Sequence, residues 1–331
     1  MKFRAFIGID VSKSTIDVYL RNAGKHMVFA NDLEGFEAMV EWLMDILGQL
    51  THDEMLLGLE HTGLYSELLI GFLNGQNFPF TVLPGLELKK SLGIRRGKSD
   101  KVDSKDIAEY IYEKRERVKL FEMPSKNLES IKKLASYRER LVKERTACTT
   151  RLKEYQNVHE REDFEIYVNS HTRVINCLDE EIKKIQAEIE RLIRDDLELS
   201  RQYRLIQSIK GVGPQTAAIM IVLTRGFTSF ENWRKFASYA GIAPFPNQSG
   251  TYTGKTKTSK LANKRIKSLL SMCAGVAIQY NPEIKRYYER RIEEGKNKMS
   301  TMNIIRNKLV SRIFAVIERG SPYVDTMKYA A

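Results

Sequence analysis

The sequence predicts an α/β domain followed by an all-α half, on three observations. Within the first 122 residues, short apolar runs alternate with amphipathic helical repeats. From Leu128 to about Ser200 the pattern is helical and highly charged, with apolar residues stepping by three and four. Beyond residue 203 helical periodicity returns around a Gly-x-Gly turn. The expected divisions are 1–122, 123–202 and 203–331, which suits a chain of 331 residues.

The elements follow in order. Residues 3–10, FRAFIGID, read as a buried strand ending on Asp10. Residues 15–21 and 25–31 read as two more strands, with the turn signal Asn22-Ala23-Gly24 between them. A helix is expected over about 33–50, with Phe36, Met39, Val40, Leu43 and Leu47 on one face. A strand over 55–60, a helix over about 63–74 and a strand over 79–83 complete the α/β unit. A loop from Gly93 to Ser99 carries Arg95, Arg96 and Lys98, and a helix then runs from Asp100 to about Glu116. Three antiparallel strands followed by a helix open a ribonuclease-H-like (RuvC-like) fold. Pro124 marks the first boundary.

In the middle segment Ile175, Leu178, Ile182, Ile185, Ile189 and Leu192 form the a/d seam of a coiled coil. Leu134, Leu141, Cys148, Leu152 and Tyr155 form a weaker seam on a preceding helix. The two helices read as an arm, either an intramolecular hairpin or a dimerisation device. The last segment, 203–331, reads as helical again. In LIQSIKGVGPQTAAI, apolar residues precede Gly211-Val212-Gly213 and a helix begins at Pro214, a helix-hairpin-helix pattern. Its glycine turn presents backbone N–H groups that can hold a DNA phosphate without reading sequence.

Composition narrows the partners. A formal net charge of +12 makes a polyanion the first partner to consider. Cys148, Cys177 and Cys273 lie far apart with no CxxC pair, which supports neither a zinc site nor a disulfide framework and fits the reducing cytoplasm. No apolar run reaches the roughly 18 residues that a membrane span needs.

Four acids carry the chemistry. Asp10 and Glu60 each end an apolar strand, where a charge is costly unless something pairs with it. Asp100 and Asp103 stand at i and i+3 and share one helix face. Taken singly, each has an ordinary explanation, such as N-capping in a first helical turn. Taken together and in this order, they supply the hard oxygen ligands that Mg²⁺ (or Mn²⁺) needs to cut a phosphodiester. Asp17, in mid-strand, and Asp106, expected on a solvated helix flank, are read as decoys.

Ser249 lies in Asn247-Gln248-Ser249-Gly250, inside residues 232–282, which contain no Asp or Glu. The same stretch holds Arg234, Lys235, Lys255, Lys257, Lys260, Lys264, Arg265 and Lys267, cations that can lie along a phosphate backbone. A serine among them could attack phosphorus, with the cations stabilising the anion that forms. Ser-Gly is also common turn chemistry, and from the residues alone both readings stand. Phe245 and Tyr252 flank the serine and could meet a base.

These motifs resemble the DEDD transposases of bacterial insertion sequences, the group that includes the Piv/MooV DNA invertases, along essentially the whole chain. Gly8-Ile9-Asp10-Val11-Ser12-Lys13 is similar to the family's opening, Glu60-His61-Thr62-Gly63 to its E-x-T-G, and Lys98-Ser99-Asp100-Lys101-Val102-Asp103 to its K-T/S-D-x-x-D. In the second half, Gly211-Val212-Gly213 with Thr216-Ala217-Ala218 resembles GIG-x-x-TA, and residues 236–244 resemble the A-Y-A-G-L-x-P segment. Residues 260–267 are similar to K-x-G-N-x-x-L-R, with Ala262 in place of the usual glycine and Lys267 in place of the arginine.

The resemblance implies that Asp10, Glu60, Asp100 and Asp103 bind metal and that Ser249 forms a phosphoserine link to DNA. It further implies a composite active site shared by protomers, a dimer that pairs into a tetramer on donor and target DNA, and a guide (bridge) RNA. Lys89, Lys90, Arg95 and Arg96 are the RNA contacts expected from it. The protein would work in the bacterial cytoplasm at the nucleoid. The rivals are a hydrolytic RuvC-type junction nuclease, a programmed invertase of the same family, and a non-catalytic nucleic-acid-binding protein.

Overall fold

The structure, a computed structural model, describes residues 3–60, 62–85, 88, 91, 100–158, 165–249, 251–259 and 262–324. The chain divides into two compact units, 1–123 and 124–331.

The first unit is built on strand β1 (Ala5–Val11), whose run AFIGIDV is buried on both faces. A strand covered on both sides needs such a continuous apolar run rather than alternation. Strand β2 (Thr15–Leu20) pairs antiparallel with β1, and β3 (Lys25–Ala30) antiparallel with β2. Strand β4 (Met55–Glu60) lies parallel to β1 on its other side, and β5 (Phe80–Leu83) parallel to β4. The sheet order is β3-β2-β1-β4-β5. Gly24, at φ +64°, closes the turn between β2 and β3.

Side-chain alternation along β1 and β4 sorts the two faces. Ile7, Ile9, Leu57 and Leu59 point into one core with Phe36, Met39 and Leu43 of helix α1 (Leu33–Leu47) and Leu69 and Leu73 of helix α2 (Glu67–Gly75). The helical face expected from sequence is thus the one that α1 buries, and Asp32 caps its N-terminus by accepting from Gly35 N–H at 2.8 Å. Phe6 and Leu56 point to the opposite face, against Ile107, Tyr110 and Ile111 of helix α3 (Asp100–Glu113).

Two glycines let α3 sit there. Gly8 and Gly58 are register partners on β1 and β4. A Cβ at Gly8 would lie 2.0 Å from the Ser104 carbonyl oxygen and 2.4 Å from Ala108 N, both helix backbone. A Cβ at Gly58 would meet Ile111 Cγ2 at 2.7 Å.

The second unit begins with two long helices, α4 (Lys126–Val158) and α5 (Glu165–Arg194). They pair antiparallel: Arg145 Nη1 meets Asp179 Oδ1 at 2.7 Å, and nearer the tip the rings of Tyr155 and Tyr167 meet at a tilt of 30° with centroids 4.0 Å apart. Ile182, Ile185 and Ile189 of the expected seam are buried, with Ile193 added, whereas Ile175 and Leu178 are only half-buried. On α4, Leu141 of the expected seam is buried and Leu134, Cys148 and Leu152 are half-buried, and the seam continues toward the base. Leu128, Ile131, Ala135 and Leu141 are buried, while Tyr155 is exposed.

Helices α6 (Leu197–Gln207), α7 (Pro214–Thr224), α8 (Trp233–Tyr239), α9 (Lys264–Tyr280), α10 (Pro282–Glu293) and α11 (Lys298–Arg319) share one core with the base of the arm. Asp196, Asn232, Asn263, Asn281 and Asn297 cap five of them through side-chain oxygens. The turn after α6 uses Gly211 at φ +98°, where a Cβ would lie 2.8 Å from Ala277 Cβ.

The expectation of a helical last segment is corrected in one place. Strands β6 (Pro244–Ser249) and β7 (Tyr252–Thr258) form an antiparallel hairpin, with Ser249 paired to Tyr252 beside the turn. Thr251, Thr253, Thr256 and Thr258 are β-branched and favour extended backbone, a signal that the helical reading passed over.

The glycine contacts separate two substitutions of the same kind. Gly8→Ala drives a methyl into helix backbone and should destabilise the protein by roughly 1–3 kcal/mol. Gly71→Ala, inside α2 with nothing within 4 Å of its Cβ, should stabilise by roughly 0.5–1 kcal/mol. Urea unfolding of both variants measures the contrast, and equal effects would contradict the packing account.

Candidate functional site

The site is positioned by a repeated pattern, Gly-x-acid. Residues i and i+2 of a strand share a face, so Asp10 lies on the face that Gly8 opens to α3, and Glu60 on the face that Gly58 opens. The two strands run parallel in register, Ile9 beside Leu59, which brings the two acids to the same edge of the sheet. Helix α3 starts at that edge, with Asp100 and Asp103 in its first turn. Carboxylate oxygens of Asp10, Asp100 and Asp103 lie within 4.8 Å of one another.

Glu60 completes the acid field. Its Oε1 would stand 1.9 Å from a Cβ on Gly85, so the carboxylate rests over the bare backbone just beyond β5. The sequence reading missed Gly85, although Pro84-Gly85 directly after a strand is a recognisable turn signal.

The electrostatics register the crowding. The Asp10 carboxyl is pushed up from 3.8 to about 6, by burial first and then by the charges of Asp103, Asp100, Glu60 and Asp17. A half-buried carboxyl ringed by four other acids is a poor arrangement for an isolated protein and a good one for a hard divalent cation. The donor set therefore fits a metal ion, with Asp10, Asp100 and Asp103 as the ligands that already converge.

Of the two decoys, Asp17 lies in mid-strand as expected, and Asp106 needs revision. Asp106 is 5% exposed and not on a solvated flank. It is one helical turn beyond Asp103, on a helix whose inner side is pressed against the sheet. Asp17 is the cross-strand partner of Asp10 and is buried, and its Oδ1 is 2.8 Å from His26 Nε2 on β3. It adds to the field at Asp10 from a position that the β1–β2 register dictates.

In the second unit the candidate nucleic-acid contacts divide. Gly211 and Gly213 form the turn into α7, which has Pro214 in its first turn and no side-chain cap. Lys257 and Lys264 are exposed and Lys267 is half-buried. Arg265 is engaged inside the protein: its Nε meets Glu139 Oε2 at 3.0 Å and its Nη2 donates to the Ala135 carbonyl at 2.8 Å, both on α4. Lys89, Lys90, Arg95, Arg96, Lys98 and Lys260 lie outside the described residues, as do the side chains of Ser249 and Lys255. No helix among the described residues is long and apolar enough to cross a membrane.

Comparison of the sequence with known proteins finds matches along most of the chain. Residues 7–156 match the DEDD transposase model of the IS110 type, and residues 203–289 match the transposase IS116/IS110/IS902 family. The chain is similar to the pilin gene-inverting proteins of Moraxella bovis and Moraxella lacunata, at 28% identity in each case over 97% of this chain and 98% of theirs. It is also 28% identical to an insertion element IS110 protein of Streptomyces coelicolor, over 49% of this chain and 39% of that one.

Two tests follow from the site. Without metal, the folded protein releases the Asp10 proton near pH 6 and the unfolded chain near 3.8, so the folded state holds more protons between these values. Stability should therefore fall as pH rises through that window. Asp10→Asn should melt higher than the parent at neutral pH in chelator, and lower or equal once a divalent ion is added. Calorimetry over the pH range reads both, and a parent curve that rises through the window would contradict the assignment. Second, Gly85→Ala should leave the melting temperature nearly unchanged, because only the flexible end of Glu60 must move, yet weaken divalent-ion binding measured by titration calorimetry by about tenfold or more.

Proposed function

The chain belongs to the DEDD transposase family of insertion sequences and is a DNA transposase or recombinase dependent on divalent metal, and from that premise we propose how it acts. It cuts and exchanges DNA strands through a serine–DNA intermediate, with Mg²⁺ as its ion. The observation that carries the proposal is the convergence of Asp10, Asp100 and Asp103 at the sheet edge where Glu60 also ends. The sheet order and the helix on its glycine face support assigning the first unit to the ribonuclease-H-like, RuvC-like fold.

The carboxylates of Asp10, Glu60, Asp100 and Asp103 hold the cation. Once bound, it supplies positive charge at the scissile phosphate. The Ser249 hydroxyl gives up its proton as its oxygen attacks phosphorus, the Oγ–P bond forms while one P–O bond of the DNA breaks, and the leaving DNA oxygen takes up a proton to become a hydroxyl end. A hydroxyl end of another strand then reverses the step, which conserves the phosphodiester energy and needs no ATP. The hairpin position of Ser249, beside an exposed turn in a stretch without acids, supports this role.

The protein acts as a homodimer that assembles to a tetramer on donor and target DNA, a guide RNA selects the two, and the reaction takes place at the nucleoid in the cytoplasm. The arm supports the first: its tip exposes Val158 at 76% and Ile166 at 82%, apolar surface suited to a second copy. The end-to-end match to pilin gene-inverting proteins favours programmed inversion beside transposition.

A recombination assay in bacteria tests the core of this. With the gene in its native flanking DNA, sequencing across new junctions compares the parent with Asp10→Ala and Ser249→Ala. Both variants should remain folded and produce no junctions. Junctions from Ser249→Ala but not from Asp10→Ala would reduce the serine to a turn residue and make water the nucleophile, as in a hydrolytic junction nuclease.

A further inference from the structure

We propose that the groove between helices α10 and α11 is a separate polyanion site, built to hold the phosphodiester backbone of a nucleic-acid strand. The groove encloses about 510 Å³ and is lined by Glu283, Ile284, Arg286, Tyr287, Arg290 and Lys308.

Its charge is one-sided. The acid in the lining, Glu283, is already engaged: Arg312 Nη2 meets its Oε1 at 2.5 Å, and the Tyr323 hydroxyl donates to its Oε2 at 3.0 Å. Among the described residues, no carboxylate lies within ion-pair reach of Arg286 or Lys308. Arg290 has Glu294 at 3.7 Å, one turn away on its own helix. Three cations therefore converge on one cavity with little to neutralise them, an arrangement that repels itself until an anion enters.

The cations are also held in place. Lys308 Nζ lies 4.5 Å from the centroid of the Tyr287 ring and Arg290 Cζ lies 5.6 Å from it. The ring tethers one cation from each helix, so less side-chain freedom is lost when an anion binds. With its ring so occupied, Tyr287 is a support for charge rather than a platform for a base. Contacts of this kind position a strand and carry no sequence information. A cavity this large exceeds a single inorganic anion and suits consecutive phosphates. The choice of nucleic acid over other polyanions rests on the recombinase reading; the groove itself involves neither the acids nor Ser249.

The test uses the full chain in chelator, so that no cleavage occurs, with fluorescence anisotropy across a salt series. Duplex DNA, single-stranded DNA and a structured RNA form three arms, which identify the strand the groove takes. Arg286→Ala/Lys308→Ala is compared with Lys285→Ala/Lys296→Ala, which removes the same charge from nearby positions outside the lining. The groove variant leaves two phosphates without their cations, so log Kd should become less steep in log salt by about 1.8 on a duplex or about 1.4 on a single strand. The control should leave the slope within error of the parent. Equal slopes for groove and control variants in all three arms, with both folded by circular dichroism, would overturn the proposal. That result would leave strand exchange untouched, and loss of the serine mechanism would not alter these slopes.

Discussion

The first unit depends on backbone touching backbone at Gly8. Helix α3 approaches β1 so closely that the Ser104 carbonyl and the Ala108 amide occupy the space where a side chain would begin. No other residue at position 8 allows that approach, and the approach sets where Asp100 and Asp103 end up. Acids from a helix and acids from two strands can share one cation only if the helix axis lies at a fixed, short distance from the sheet. The paired glycines fix that distance, and Ile107 and Ile111, fully buried below them, hold it with apolar contact.

Given that scaffold, the site is held in tension. Packing drives α3 down, while the like charges at its N-terminal end push Asp10 and Asp103 apart. The Asp10 carboxyl is raised first by burial and then by these charges, and the repulsion acts at one end of α3 while apolar packing acts along its length. Part of the repulsion is relieved locally, since the helix N-terminus favours negative charge and His26 holds Asp17. A cation removes the remainder. Strain of this sort is common where a protein keeps a site ready for a partner it does not itself contain.

Much of this was legible in the sequence, and what was not has definable causes. Buried strands announce themselves by continuous apolar runs, and an acid at the end of such a run stands out, so Asp10 and Glu60 could be read directly. Asp100 and Asp103 followed from helical spacing. Asp106 was misjudged because a short helix with a low overall apolar content gives no clear buried face, and a burial of 5% exposure needs the sheet to be in view. Gly85 could not be tied to Glu60 without the parallel pairing of β4 and β5. The serine hairpin escaped because β6 holds two prolines, β7 is rich in Thr and Lys, and among the described residues the two strands pair only with each other, without apolar alternation. Arg265 looked like a free cation in a basic run, and only the long-range contact with α4 reveals its ties to Glu139 and Ala135.

The hairpin that carries Ser249 is small and exposed, yet its two ends are fixed. On the incoming side, the Ile242 carbonyl accepts from both Asn303 Nδ2 and Asn307 Nδ2 at 2.9 Å, one helical turn apart on α11. On the outgoing side, Asn263 N–H donates to the Tyr239 carbonyl at 3.1 Å and its side chain to the Tyr239 hydroxyl at 2.9 Å, while its Oδ1 caps α9. Next to these anchors Gly241, at φ +63°, is pressed against Ala262, with a hypothetical Cβ only 2.1 Å from the alanine methyl. An alanine fits at 262, where the resembled motif has glycine, because Gly241 beside it has no side chain. A strand pair of two would be marginal alone. Clamped at both feet to helices whose core is shared with the arm, its base is fixed in place although the hairpin strands face solvent.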